Sequence, residues 1–380
     1  VDFSIVIVYW LLVDLPYLIY RTLLFLKPEP KHDLGEGPLP FVSVLMPAYN
    51  EERNIARALE TVLAQGHPRL EIIVSDDGST DRTREVAQNF ITISTEGDSE
   101  LIVTVIRSEK NQGKGRALNF ALEQANGEII VTVDGDTILA PRALRELVRP
   151  FSDPKVGAVA GTIKTLGAGG FLSLMQKVDY EIGIDLLRYT QSKFGFAMVT
   201  PGAFSAYRKS ALQAFQLGTL TEDFDSSSYI LKQGYDVRLA ADAVAYTNTP
   251  SSYSQLIRQR VRWQQGGFEV YAKRNLFSSG ILRGIEWSFI FFYGFVGVYN
   301  RLIALMLTPL LFFSSIILIP YFLVYSMIYW SYYGFLTLLR TGSIEPFILA
   351  PLYALYQNTV IAYATMIGQL RAMKRLRNWG

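Results

Sequence analysis

Asp134 and Asp136 form an Asp-Gly-Asp at the end of the apolar run EIIVTVDGD, residues 128–136. At an extended strand end, alternate residues share a face. Two hard oxygen ligands flanking the small Gly135 suit a divalent cation. Mg²⁺ commonly takes one or two carboxylates and completes its shell with substrate phosphates. A solvated loop bearing two acids would read the same way. Asp77 in DDGSTD (76–81) and Lys114 in NQGKGRALN (111–119) are expected to face the same space. A lysine set among glycines is suited to a phosphate or nucleotide. DDGSTD is equally compatible with a turn followed by a helix cap. The absence of a Walker motif and of a strict G-x-G-x-x-G argues against an ATPase or a dinucleotide enzyme.

Further along, TED (221–223) precedes FDSSSYILKQGY, a helical stretch ending at Gly234. Asp223, with Glu222 beside it, suits a general base that takes the proton of an attacking hydroxyl. The same position suits a helix-capping carboxylate. SYSQLIRQRVRWQQGGFEVYAK, residues 252–273, contains no proline and reads as one helix. Gln259, Arg262 and Trp263 stand at i, i+3 and i+4 and so share a face. Arginine donors match a diphosphate leaving group, an indole face can stack on a sugar, and glutamine can read hydroxyls. A basic amphipathic helix lying on a lipid surface is the competing account, and different faces could do both.

These residues need a scaffold. FVSVLMPAY, LEIIVSDDG, LIVTVIRS and EIIVTVDGD read as buried strands. NIARALETVLAQ, DRTREVAQNF and KGRALNFALEQA, lying between them, have helical spacing. Such alternation predicts a Rossmann-like, mainly parallel sheet covered by helices. Ligands of such sheets bind beyond the carboxyl ends of the strands. PAYNEE (47–52), DDGSTD, NQGKGRALN and DGDT (134–137) each follow one of the four strands. Turn chemistry alone does not explain their shared placement.

Composition narrows the classes. The 380 residues contain no cysteine, which excludes disulfides, thiolate catalysis and cysteine-ligated zinc. His32 and His67 are the two histidines, both remote from the carboxylate motifs. A net charge of +2 gives no general signal for nucleic acid, and none is expected as a partner. Residues 3–26 are long enough to span a bilayer, which takes about 20 residues, although Asp14, Pro16 and Arg21 interrupt them. Arg21, Lys27 and Lys31 place the N-terminus outside and residue 30 onward in the cytoplasm. An interfacial segment is expected at 284–299, with spans at 302–319, 321–339 and 346–368. The expected organisation is therefore a transmembrane helix over 1–30, a cytoplasmic domain over 31–280 with an interfacial helix at 252–273, and interfacial and transmembrane helices over 281–380.

Together PAYNEE, DDGSTD, DGDT, PGAFSAYRK (201–209), TED and QRVRW, in this order over residues 40 to 275, resemble the membrane-integrated, processive family 2 glycosyltransferases. These are the hyaluronan, cellulose, chitin and poly-N-acetylglucosamine synthases. VTPGAFSAYRKSAL and QRVRWQQGGFEVY are most similar to the poly-N-acetylglucosamine and hyaluronan branch. The resemblance implies a GT-A fold and inverting β-transfer from a UDP-sugar to a growing polysaccharide. Translocation of the product is expected from the helix of 259–263 lying just before the spans. It implies that Tyr49, Glu51 and Asp77 hold the uridine, with Lys114 and Asp134 also on the nucleotide. Asp134 and Asp136 would bind Mg²⁺ or Mn²⁺, and Asp223 would be the base. Gln259, Arg262 and Trp263 would line the diphosphate and acceptor site. Expected partners are the donor, a polysaccharide or lipid acceptor, membrane lipid, and an accessory export or co-polymerase subunit. The expected location is the plasma membrane, with the catalytic domain cytoplasmic. Two departures stand out. No Phe-X-Val-Thr gating loop follows the domain, and DGDT stands where many relatives have Asp-Ala-Asp. The alternative product is a glycolipid made by single transfer to a ceramide or diacylglycerol.

Overall fold

The structure, a computed structural model, describes residues 14–29, 39–96, 99–167, 169–274, 283–284, 286–288 and 318–377. The chain divides into two compact units. One comprises residues 30–167 and 194–249, and the other 1–29, 168–193 and 250–380.

The first unit is built on a sheet. Its strands are β1 (Val42–Ala48), β2 (Arg69–Asp76), β3 (Thr92–Glu96), β4 (Ser99–Arg107), β5 (Ile129–Val133), β6 (Ile138–Leu139), β7 (Val156–Leu166), β8 (Phe204–Arg208) and β9 (Asp236–Asn248). They lie in the order β3-β4-β2-β1-β5-β8-β7-β9-β6. Every residue of β1 and of β5 is buried, which is why both read as unbroken apolar runs in place of an alternating pattern. The helix Ile55–Leu63 covers this core with Ile55, Ala58, Leu59 and Val62, the spacing of one helical face.

The sheet is mixed, not mainly parallel. β4, β2, β1 and β5 are mutually parallel, as are β7 and β9. β8, however, enters antiparallel between β5 and β7, and β3 and β6 pair antiparallel at the two edges. Strand–helix alternation governs only the first half of this unit. Beyond β5 the chain returns against its neighbour, which a short stretch such as FSAYR does not announce.

The second unit is helical. It includes Leu15–Leu26, Gly170–Val178, Leu186–Ser192, Tyr253–Lys273, Leu318–Thr341, Glu345–Tyr356 and Ala362–Arg377. Two π-helical segments, Asp179–Asp185 and Gln357–Ile361, interrupt the series. Met175, Val178, Ile182, Leu186, Leu256, Tyr333, Leu336, Ala350, Tyr353 and Tyr356 form its core.

Among the described residues no helix is long and apolar enough to cross a membrane. Of the expected span 3–26, the described part is the 12-residue helix Leu15–Leu26. The stretch 321–339 lies in the 24-residue helix Leu318–Thr341, where Tyr325, Tyr329, Trp330, Tyr332 and Tyr333 dilute the apolar character. The stretch 346–368 is divided by the π-helical turn at Gln357–Ile361. Nearly all of 302–319, and most of 284–299, lie outside the described residues.

Candidate active site

The parallel register aligns the strand ends. Ala48 pairs with Asp76, and Asp76 with Arg107, so the loops after β1, β2 and β4 leave from one edge. β1 has β2 on one side and β5 on the other. The chain therefore reverses its direction of travel across the sheet between β1 and β5, where such folds form a crevice. The Asp-Gly-Asp after β5 and PAYNEE after β1 flank that point.

Hydrogen bonds knit the loops together. Asn50, with a left-handed φ of 57°, accepts from the Thr80 amide at 2.9 Å and donates its own amide to Ser79 Oγ at 3.0 Å. The Glu51 amide donates to Thr83 Oγ1 at 2.7 Å. Asp76 Oδ1 accepts from the Ser79 amide at 3.0 Å, and Asp81 Oδ1 from the Thr83 amide at 2.9 Å. The turn account of DDGSTD thus holds for Asp76 and Asp81, each of which accepts a nearby backbone amide, while the residue at the N-cap of the following helix, Thr83–Gln88, is Arg82. Asp77 is buried, and its two oxygens accept from the amides of Gln112 and Gly113 at 2.9 and 2.8 Å. Its carboxylate therefore clamps the Lys114-bearing loop to β2. Sequence reasoning missed this role. Its signal is an acid directly after one strand when the neighbouring strand ends in a glycine-rich turn.

Lys114 begins the helix Lys114–Gln124. Its Nζ lies 2.5 Å from Asp134 Oδ1 and 3.9 Å from Glu222 Oε1. Burial pulls this ammonium down, but Asp134 and Glu222 outweigh it and hold the group above its ordinary value. Burial pushes Glu222 up against the pull of Lys114, with Asp223 adding to the rise. Asp136 is pushed up to about 6, first by burial and then by the charges of Asp134 and Glu51. Burial also raises Glu51, whose Oε2 accepts from Asn54 Nδ2 at 2.7 Å. Tyr49 is exposed beside it.

PGAFSAYRK enters β8 at this same edge. Val133 pairs with Phe204, and the Asp134 amide donates to the Ala203 carbonyl at 3.3 Å. The Gly202 amide donates to Asp223 Oδ2 at 3.0 Å, and the Phe224 amide to Asp223 Oδ1 at 2.8 Å. A Cβ on Gly202 would stand 2.7 Å from Lys114 Nζ, so a larger residue there would make the flexible end of Lys114 shift. Thr221, not Asp223, is the N-cap of the helix Glu222–Lys232. Asp223 instead lies in its first turn, where the helix dipole favours a carboxylate.

The structure thus brings together Tyr49, Glu51, Asp77, Lys114, Asp134, Asp136, Glu222 and Asp223. Gln259, Arg262 and Trp263 belong to the helical unit, on Tyr253–Lys273. There Arg262 is exposed, and Gln259 and Trp263 are half-buried.

Among the described residues, no cluster of three or more His, Cys, Asp or Glu side chains is arranged to hold a metal ion. The two-carboxylate Asp-Gly-Asp still fits Mg²⁺ or Mn²⁺, whose remaining ligands come from water and substrate phosphate. Burial first, and then the charges of Asp134 and Glu51, raise Asp136, and a bound cation would favour its ionised form.

Residues 43–215 match the sequence model of glycosyl transferase family 2. This chain carries a family 2 glycosyltransferase domain. It is 30% identical over 272 residues to the poly-beta-1,6-N-acetyl-D-glucosamine synthase of Staphylococcus epidermidis, covering 69% of this chain and 63% of that protein. The synthase of the same name from Staphylococcus aureus strain COL is 29% identical over 276 residues, covering 72% and 65%. The chain thus spans less than two thirds of the length of these curated relatives. Among solved structures, it resembles the mannosyltransferase PcManGT from Pyrobaculum calidifontis, in complex with GDP-Man and Mn²⁺. The TM-score is 0.63 at 22% identity, over 94% of both chains. The fold is GT-A-like.

Proposed function

We propose that this family 2 chain is an inverting glycosyltransferase that extends a β-linked polysaccharide from a UDP-sugar at the plasma membrane, with its sheet unit cytoplasmic. The convergence of Lys114, Asp134, Asp136, Glu222 and Asp223 at one sheet edge carries this reading. The relatives' name points to N-acetylglucosamine polymers as product.

Asp134 and Asp136 would hold Mg²⁺ or Mn²⁺, which supplies charge neutralisation at the donor diphosphate. Lys114 provides a second positive charge there. Asp223, oriented by the Gly202 amide, takes the proton of the acceptor hydroxyl. The hydroxyl oxygen bonds to the anomeric carbon as the bond to the diphosphate oxygen breaks. UDP leaves, and the anomeric centre inverts in one displacement without a protein nucleophile. Arg262 donates to the leaving diphosphate, and Trp263, with Gln259 beside it, supports the acceptor sugar.

The polarity of the helical unit supports the membrane reading. Its interior holds the ion pairs Arg21–Glu286 and Arg260–Asp179. Leu26 at 69%, Ile328 at 65% and Ile348 at 62% exposure face outward. Apolar side chains outside and paired charges inside suit lipid as the surrounding solvent. Outward translocation of the product belongs to this proposal.

The test is incubation with Mg²⁺ or Mn²⁺ and a donor panel of UDP-sugars plus GDP-mannose, with oligomers of β-1,6-linked N-acetylglucosamine as acceptor. A high-molecular-weight product from a UDP-sugar supports the reading. An organic-soluble product of one transfer, or turnover with GDP-mannose alone, overturns it. Polymer retained on the donor side of sealed vesicles overturns the translocation step.

A further inference from the structure

Two arginines two residues apart on the helix Tyr253–Lys273 have opposite fates. Arg262 is exposed, whereas Arg260 is buried. Residues two apart do not share a helical face, so one arginine can point outward only if the other points in. Arg260 and Trp263 stand three positions apart and meet. The Arg260 guanidinium carbon lies 4.1 Å from the centroid of the Trp263 ring. Tyr180 closes the group, its ring edge-on to Trp263 with centroids 6.4 Å apart.

Arg260 is itself held. Its Nη2 donates to Asp179 Oδ2 at 2.7 Å. The other oxygen of Asp179 accepts from the Tyr353 hydroxyl at 2.7 Å and from Gln357 Nε2 at 3.0 Å. Asp179 is the first residue of one π-helical segment and Gln357 the first of the other. A π-helical turn inserts a residue into the helix and turns the following side chains to new directions. Such turns are rare and concentrate at functional sites. Here both start on residues that meet at a single buried carboxylate.

We propose that Arg260 is a positioning residue that pins Trp263, through Asp179 and its partners Tyr353 and Gln357, as a one-sided platform for the acceptor sugar. The inference rests on the reading of Trp263 as an acceptor contact. With the guanidinium against one face of the indole, a sugar ring has only the opposite face for stacking. An indole fixed in advance loses less rotamer freedom when the sugar binds, so the benefit falls on acceptor affinity. Lysine would keep the charge opposite Asp179 but lose the flat stacked group.

The test measures affinity of the full chain for β-1,6-linked N-acetylglucosamine oligomers by calorimetry, beside the acceptor KM and kcat. Arg260→Lys and Asp179→Asn are expected to weaken binding and raise KM about tenfold, with kcat within about twofold. In the Trp263→Ala background, Arg260→Lys should add less than about twofold, because the platform it serves is gone. Folded Arg260→Lys and Asp179→Asn proteins with wild-type affinity overturn the proposal. So do losses that multiply in the double variant, which indicate a general structural defect. Should Arg260→Lys not fold, Asp179→Asn alone and with Trp263→Ala carries the same test. A wild-type chain that binds the oligomer but transfers nothing refutes the proposed function and leaves the affinity comparison standing. A wild-type chain that binds no oligomer overturns the platform itself.

Discussion

The loop after β2 and the loop after β5 both carry two aspartates, and the two pairs live in opposite conditions. Asp77 is 3% exposed, and each of its oxygens accepts a backbone amide. Asp136, in contrast, is half-buried near Asp134 and Glu51, and its proton affinity rises in consequence. The first loop has its charge matched by fixed donors. The second carries more negative charge than Lys114 offsets. A carboxylate with fixed donors shapes the site, while an under-compensated one is ready for a ligand of opposite charge. In this fold the division of labour runs along a single sheet edge.

The strongest challenge to this division falls on the acceptor side. Asp223 has two amide donors of its own, from Gly202 and Phe224, yet it is assigned chemistry. Asp223→Asn retains much of the shape and loses the base. Transfer is expected to fall by about 10²–10⁴-fold, the usual weight of general base catalysis. UDP affinity, measured by calorimetry, should change by less than about threefold. Transfer surviving within about tenfold would move Asp223 into the class of loop-shaping carboxylates.

Asp77→Ala probes the other side. It removes two hydrogen bonds to an ionised acceptor and leaves the amides of Gln112 and Gly113 without it. The expected cost is about 3 kcal/mol in a denaturant titration. A loss near zero would mean that the NQGKG turn holds its own shape, and that Asp77 is free for the nucleotide.

Asp136 should respond in the opposite sense. Its folded-state proton affinity, at about 6, lies above that of the unfolded chain. The folded protein therefore binds more protons in this window, and stability rises as pH falls through it. The penalty is fully present above about pH 6 and gone below about pH 4. Asp136→Asn is thus expected to stabilise the metal-free chain at pH 8 by about 1–2 kcal/mol after discounting for partial exposure, and by about half that at pH 5. With Mn²⁺ added, the wild type should gain melting temperature and the variant should not. A variant less stable than wild type at pH 8 without metal would break the contrast between the loops.

The sequence made one half of this picture plain. β1, β2, β4 and β5 announce themselves because strands buried on both faces need continuous Val, Ile and Leu, and the motifs follow where such strands end. The helix Tyr253–Lys273 was legible for the same kind of reason, an unbroken pattern free of proline. β8 was not, because antiparallel insertion between β5 and β7 depends on partners remote in sequence. Asp77 was recognised as important and set beside Lys114, but the hydrogen bonds it accepts from the Gln112 and Gly113 amides were not legible, since these partners come from the next loop. The π-helical turns at Asp179 and Gln357 left no local trace. They are set by what their side chains reach, and a hydrophobic period does not record that.

The smallest expected effect concerns the departure from Asp-Ala-Asp. A Cβ on Gly135 would lie 3.3 Å from Glu51 Cγ and 3.5 Å from Ile55 Cδ1. The first distance is tight, and Glu51 would have to give by a few tenths of an ångström. Glu51 is a flexible side chain held by Asn54 Nδ2, so it can give. Gly135→Ala should therefore change stability by less than about 1 kcal/mol, since the loss of glycine's freedom in the unfolded chain offsets the contact. Its informative effect is electrostatic. Displacing Glu51 alters one of the charges that raise Asp136, so the pH dependence of Mn²⁺ binding should shift while overall stability does not. An unmoved pH profile would show that the rise of Asp136 comes from burial and Asp134 alone.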